Sequence, residues 1–130
     1  MSRPRPGRVL VVDAANVVGS RPDGWWRDRP GAARRLHEQL ATGLPDDEVV
    51  LVLEGAARRG QSAGVAGLVR TVHAAGSGDD TIVAVATEQV AAGRKVVVVT
   101  ADRALRHRVT AAGAGAESPS WLLRRLGADR

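Results

Sequence analysis

The stretch "VLVVDAANVVG", residues 9–19, decides the fold. Val9–Val12 are apolar without a break, the run stops at Asp13, and Asn16 follows three positions later. A short strand that is apolar at every position, rather than at every second one, is of the kind found in parallel sheets covered on both faces. An acid at the end of such a strand is costly unless something compensates it. Two explanations fit: Asp13 and Asn16 cap a helix, or they hold something positive.

The same pattern returns along the chain. "DEVVLVLEG" (47–55) is a second buried strand and again ends in an acid, Glu54. "LVRTVHA" (68–74) alternates and predicts a third strand, and "KVVVVT" (95–100) a fourth. Between them lie helical segments. "PGAARRLHEQLATG" (30–43) has Pro in its first turn and Gly at its end. "GSGDDTIVAVATEQVAAG" (76–93) is a Gly-rich turn followed by a helix, with Ile82, Val83, Ala86 and Val90 on one face. "DRALRHRVTAAG" (102–113) starts at Thr100 and Asp102, and "PSWLLRRLG" (119–127) has Ser118 or Ser120 as its cap. Residues 19–30 and 56–67 predict loops. Strands alternating with helices imply an α/β three-layer α/β/α sandwich around a mostly parallel sheet of about four to five strands.

Composition narrows the function. The 130 residues suit one domain, expected over 8–130 after a flexible basic arm at 1–7. A chain of this size buries about two-thirds of its unfolded surface and needs no staples. With no cysteine, disulfides and thiolate metal sites are excluded. The apolar runs are far too short to span a membrane, and "MSRPRPGR" lacks the apolar segment of a secretory signal, so the expected location is cytoplasmic. The formal charge is +5, and the chain has a single lysine among its 19 basic residues. Either a phosphate-rich partner or a high-GC genome accounts for that arginine usage; only the first bears on the sign of the charge.

The acids are the informative residues. Asp13 and Glu54 end strands, Asp79 and Asp80 open the helix after the third strand, and Asp102 lies just past the fourth. In a parallel sheet the strand C-termini share one edge, where ligands bind. Five carboxylates on one edge raise each other's pKa, and a hard divalent cation with oxygen ligands, Mg²⁺ or Mn²⁺, relieves them. Two metals, or one with a general base, would activate water and stabilise a leaving oxygen on phosphorus. Asp79, Asp80 and Asp102 are also ordinary helix caps. Capping accounts less well for Asp13 and Glu54, which no strand end requires. Asn16 either closes a turn, orients Asp13 or binds a phosphate oxygen.

"VVDAANVVG", "GSGDDTIV" and "VVVVTADRALRHRV" together resemble the successive motifs of the NYN domain, the PIN-like ribonuclease group that includes YacP-like bacterial proteins. The likeness runs from about residue 8 to 126. It implies a PIN-like, metal-dependent nuclease acting on RNA, with Asp13, Asn16, Asp79, Asp80 and Asp102 at the site. Within that resemblance Asp13, Asp80 and Asp102 are the expected metal ligands, and Glu54, where some YacP-like members carry Asp, is a further one. Two departures stand out: Ala14–Ala15 replaces the usual aromatic position, and Arg106 stands where some relatives carry another acid.

Candidate RNA contacts follow from charge and aromatic content. Trp25 and Trp26 sit beside Arg21, Arg27 and Arg29 in the first loop, a pattern suited to stacking bases and reaching phosphates. One of the two Trp is expected to pack against the domain, since the chain has no Phe or Tyr. Arg58, Arg59 and Arg103 are further phosphate candidates, and Thr100 supports the acid site or caps the next helix. His37, His73 and His107 have no metal spacing to one another, and Trp121 is expected to pack the last helix on the sheet. Three functions remain open: a metal-dependent ribonuclease, an RNA-binding module of the same fold with weak chemistry, and a nucleotide pyrophosphohydrolase. The last usually carries Glu-x-x-Glu pairs on long helices, which are absent here. A homodimer is compatible with the sequence, and no protein partner is inferable from it.

Overall fold

The computed structural model describes residues 8–127, so the basic arm at 1–7 lies outside the described residues. The strands are β1 (Val9–Asp13), β2 (Glu48–Leu53), β3 (Gly64–Ala66), β4 (Val69–His73), β5 (Val96–Val99) and β6 (Gly115–Glu117). The helices are α1 (Ala14–Gly19), α2 (Arg29–Gly43), α3 (Gly78–Ala91), α4 (Arg103–Ala111) and α5 (Pro119–Leu126). The strands form one six-stranded sheet in the order β3-β4-β2-β1-β5-β6. All pairs are parallel except β3 with β4.

The all-apolar strands are explained by what covers them. Along β1, Leu10 and Val12 face a core built with Ala33, Leu36 and Leu40 of α2 and Leu122 of α5. Val9 and Val11 face the opposite core, with Ile82, Val85 and Ala86 of α3 and Leu105 and Val109 of α4. Both faces are therefore dry, giving the α/β/α sandwich expected from the sequence. Trp121 packs against the first core, as expected, with Arg125 stacked 4.0 Å from its ring centroid.

The chain differs from its sequence-based outline at short elements. Residues 56–67 are not a plain loop: a 3-10 turn at Gly55–Gly60 leads into the edge strand β3. The loop at 19–30 contains a 3-10 turn at Trp25–Arg27. Together β3 and β6, each three residues long, bring the strand count to six rather than four or five. The Gly55–Gly60 turn packs on the start of α2 so closely that a Cβ on Gly60 would collide with the Pro30 carbonyl oxygen. This turn and α2 thereby fix the floor beside the end of β2.

The order reverses at β1. The chain steps outward from β1 to β2 and β4, then α3 returns it to β5 on the other side of β1. The crevice at the C-terminal ends of β1 and β5 is the switch point where open α/β sheets bind ligands.

Candidate active site

Asp13 and Thr100 follow the paired residues Val12 and Val99 across that switch point. Both are buried, Asp13 at 3% and Thr100 at 0% exposure. Thr100 Oγ1 donates to Asp13 Oδ2 at 2.8 Å and accepts from the Asp102 backbone N–H at 3.1 Å. The other carboxylate oxygen, Oδ1, accepts from the Asn16 backbone N–H at 3.4 Å, making Asp13 the N-cap of α1. Capping and site readings of Asp13 are thus compatible. Asn16 reaches across the crevice: its Oδ1 accepts from the Ala101 backbone N–H at 3.0 Å, fastening α1 to the loop after β5.

Burial pushes the Asp13 carboxyl above the usual carboxylate range. The bonds from Thr100 and Asn16 pull it down, and the negative charges of Asp79 and Glu54 push it up further. Glu54, just past β2, accepts from the Gly78 backbone N–H at 3.1 Å through Oε1. A Cβ on Gly78 would sit 2.9 Å from that oxygen, so glycine here lets the end of β2 meet the start of α3. Asp79 follows in the first turn of α3 and is partly buried.

The remaining two acids have partners of their own. Asp102 Oδ1 caps α4, accepting from the Leu105 backbone N–H at 2.9 Å. Asp80 points outward: its side chain is 86% exposed and pairs with Arg108 at 2.8 Å. The charges of Glu54 and Asp79 act directly on Asp13, Asp102 is linked to Asp13 through the Thr100 hydroxyl, and Asp80 is turned away to Arg108. Among the described residues, no three His, Asp or Glu side chains are close enough to form a metal cage.

The two ends of the sheet contrast in charge. At the N-terminal edge, Asp47 pairs with Arg8 and Glu48 with Arg94. Among the described residues, Asp13, Glu54 and Asp79 have no such cation partner. Their donors are all oxygen, the chemistry of a hard cation. An open arrangement of this kind suits Mg²⁺, which keeps several waters and takes one or two carboxylates together with substrate phosphates.

The candidate RNA contacts are unequal. Trp25 is half-buried with Arg29 4.9 Å over its ring centroid, while Trp26 is 54% exposed with Arg27 at 5.8 Å. The two indoles meet edge to face, centroids 5.9 Å apart. Arg59 and Arg103 are exposed. Arg58 is tied to backbone, donating to the Gly55 carbonyl at 3.1 Å and the Ala74 carbonyl at 3.3 Å. Arg21 is partly buried, with Nη2 enclosed and unpartnered. Burial lowers its pKa, the charge of Asp23 opposes this, and Arg35 adds to it. His73 Nε2 bonds the Gln61 carbonyl at 2.8 Å and His37 is buried, consistent with packing roles.

Two features escaped the sequence. Arg106, read only as a departure from the acid pattern, donates to the Thr100 carbonyl at 3.0 Å and braces the loop after β5. A cleft of about 160 Å³ opens beside Glu54, between α1, Trp25 and the Gly55–Gly60 turn. Its only sequence signal is the pair of alanine doublets Ala14–Ala15 and Ala56–Ala57, which leave room at a strand end.

No helix among the described residues is long and apolar enough to cross a membrane. No protein-family model and no curated protein sequence matches the chain. Solved structures do resemble it. The crystal structure of Rae1 (YacP) from Bacillus subtilis aligns with a TM-score of 0.75 at 19% identity, covering 92% of this chain and 73% of that one. A single-substitution variant of the same protein aligns with the same TM-score at 20% identity, covering 92% and 75%. The fold of this chain is YacP-like.

Proposed function

We propose that the chain is a divalent-metal-dependent ribonuclease of the NYN, PIN-like kind, hydrolysing RNA phosphodiester bonds at the C-terminal edge of its sheet. The observation that supports this most is the buried Asp13 at the β1–β5 switch point, flanked by the charges of Glu54 and Asp79 and by no basic partner among the described residues. The YacP-like fold and the three motifs agree with it. An RNA substrate also suits a chain of charge +5 and a cytoplasmic setting.

Asp13, with the charges of Glu54 and Asp79 nearby, would attract Mg²⁺ or Mn²⁺, one or two carboxylates serving as ligands together with substrate phosphate. Such an ion supplies a water nucleophile at neutral pH and offsets charge on the phosphate. The chain's own residues prepare the site. Thr100 and the Asn16 N–H hold the Asp13 carboxylate in one orientation and favour its charged form. The Gly78 N–H fixes Glu54. Asn16 fastens the 100–102 loop to α1, Arg106 braces it from α4, and the exposed Arg59 and Arg103 would supply charge for phosphates of the bound strand.

A second reading is an RNA-binding module with weak chemistry. The pairing of Asp80 with Arg108 favours it, since it turns one candidate ligand away. End-labelled single-stranded and structured RNAs incubated with Mn²⁺, Mg²⁺ or EDTA separate the two, with Asp13→Asn alongside. Cleavage that requires metal and disappears in the variant is the expected result. RNA binding without metal-dependent cleavage would establish the module instead.

A further inference from the structure

We infer that the groove between α4 and the edge strand β6 carries the RNA strand away from the acids, with Arg103, Arg106 and His107 on a phosphate near the scissile one. The inference rests on the ribonuclease reading for its polymer, but its test reads binding rather than cleavage. The groove is open, has a volume of about 260 Å³ and is lined by Arg103, Arg106, His107, Thr110 and Ala116. None of these residues is acidic. The four from α4 fall at i, i+3, i+4 and i+7 and form one stripe. Leu105 and Val109 turn to the sheet instead, and Arg108 turns to Asp80 of α3. On β6, Ala116 packs toward the core that it shares with α4, so the alternation of the strand puts Glu117 on the other face, away from the groove.

The groove begins at the acid site. Thr100, bonded to Asp13 at 2.8 Å, also accepts at its carbonyl from Arg106 at 3.0 Å. A strand whose reacting phosphate lies at Asp13 therefore meets the stripe at the first turn of α4, and the stripe runs on for roughly 10 Å. Without a ligand this stripe is unfavourable. Arg103 and Arg106 are a like-charged i, i+3 pair at the start of α4, the end where the helix dipole disfavours cations, and no acid stands in that turn. Among the described residues neither arginine pairs with a carboxylate. A phosphate between them offsets their mutual repulsion, and the exposed His107 adds a further donor. The other flank of α4 opposes a strand, because Arg108 is occupied by Asp80, which is 86% exposed and next to Asp79. The bank toward α3 is thus acidic and the bank toward β6 basic, which sets the side on which the strand leaves.

The test is binding of fluorescent single-stranded oligoribonucleotides in EDTA, read by anisotropy across a salt titration. Arg103→Ala should flatten the slope of log affinity against log salt by about 0.7, the share of one phosphate on a single strand. Arg103→Lys keeps the charge and should restore the slope, which guards against a merely misfolded Arg103→Ala. Thr110→Glu places an acid in the groove and should weaken binding at low salt, an effect lost as salt rises. Arg34→Ala removes an equally exposed arginine from α2, on the opposite face of the sheet, and should leave the slope unchanged. Probes with one phosphate at a time replaced by an uncharged methylphosphonate locate the contact. Neutralising the phosphate held in the groove should cost the unmodified protein roughly tenfold, the scale of a hydrogen bond to a charged group. In Arg103→Ala the same replacement should matter by no more than about twofold, the signature of a shared contact. Slopes unchanged in both groove variants overturn the inference, as does an equal loss in Arg34→Ala, or failure to bind RNA at all. A groove-dependent slope without cleavage under metal would sustain the groove and remove the nuclease reading. Metal-dependent cleavage with slopes indifferent to the groove would do the reverse.

Discussion

Thr100 Oγ1 lies 2.8 Å from Asp13 Oδ2, a buried bond between residues 87 apart in sequence that closes the crevice at the β1–β5 switch point. The hydroxyl also accepts from the Asp102 N–H, so one side chain orients the candidate ligand and the start of α4. Thr100→Val keeps the shape but leaves a buried carboxylate oxygen and an N–H without their partner. The expected cost is about 1–3 kcal/mol in chemical denaturation. Loss of a bond that lowers the Asp13 pKa should also move the acid limb of the metal-dependent cleavage profile to higher pH. Thr100→Ser retains the hydroxyl and should restore both.

Asp13 itself should reduce the stability of the metal-free protein. Its folded pKa is raised above the ordinary value of 3.8. Between those two values the folded protein keeps a proton that the unfolded chain has released, so folding is favoured by acid there. The stability from this group is full below the ordinary value and is lost as pH rises through the raised one. Asp13→Asn should therefore flatten that part of the pH–stability curve and raise the neutral-pH Tm by a few degrees, the scale on which ~1 kcal/mol registers in a domain of this size. Mg²⁺ or Mn²⁺ should raise the Tm of the unmodified protein and leave the variant unchanged. A Tm that falls in Asp13→Asn would mean that its bonds to Thr100 and Asn16 outweigh its buried charge.

These effects separate what the sequence could convey from what it could not. Strands β1, β2 and β5 were legible because both faces of the sheet are covered, so their apolar runs are unbroken. Helix α1 was not: Val17 and Val18 are weak helix formers, and the helix exists because Asp13 caps it and Val17 is fully buried. Strands β3 and β6 carry no periodic signal at three residues each and are held by their neighbours in the sheet. The strand-end acids announced an acidic edge. The outward turn of Asp80 goes with a contact across 28 residues, to Arg108, which no local pattern reveals. The cleft beside Glu54 arises from alanines on separate elements, a relationship that exists only in three dimensions.

Gly78 links the end of β2 to the start of α3 at the acid site. Gly78→Ala would place a Cβ 2.9 Å from Glu54 Oε1, a clash relieved by moving the end of the Glu54 side chain. The carboxylate must swing away and give up the Gly78 N–H. Cleavage should fall by up to about a hundredfold, the scale of a 1 Å misplacement near reacting groups. The loss of one bond should cost about 1 kcal/mol in Tm-derived stability, leaving the fold intact by circular dichroism. An unchanged rate would show that the position of Glu54 is irrelevant to the chemistry.

Asp79 and Asp80 are neighbours in sequence with different surroundings. Asp79 is partly buried and its charge acts on Asp13; Asp80 is 86% exposed and held by Arg108. Exposed pairs contribute about 0–1 kcal/mol, so Asp80→Asn and Arg108→Ala should each leave stability nearly unchanged. Asp79→Asn removes a charge that raises the Asp13 pKa and weakens the attraction for a divalent ion. It should increase the metal concentration needed for half-maximal cleavage by roughly tenfold, where one carboxylate's charge contributes ~1.4 kcal/mol. Asp80→Asn should shift it far less. Metal titrations of the two variants, measured side by side at one ionic strength, decide the matter. If Asp80→Asn proves the more damaging, Asp80 must leave Arg108 during turnover. Arg108→Ala, by freeing that carboxylate, would then tighten metal binding rather than leave it unaltered.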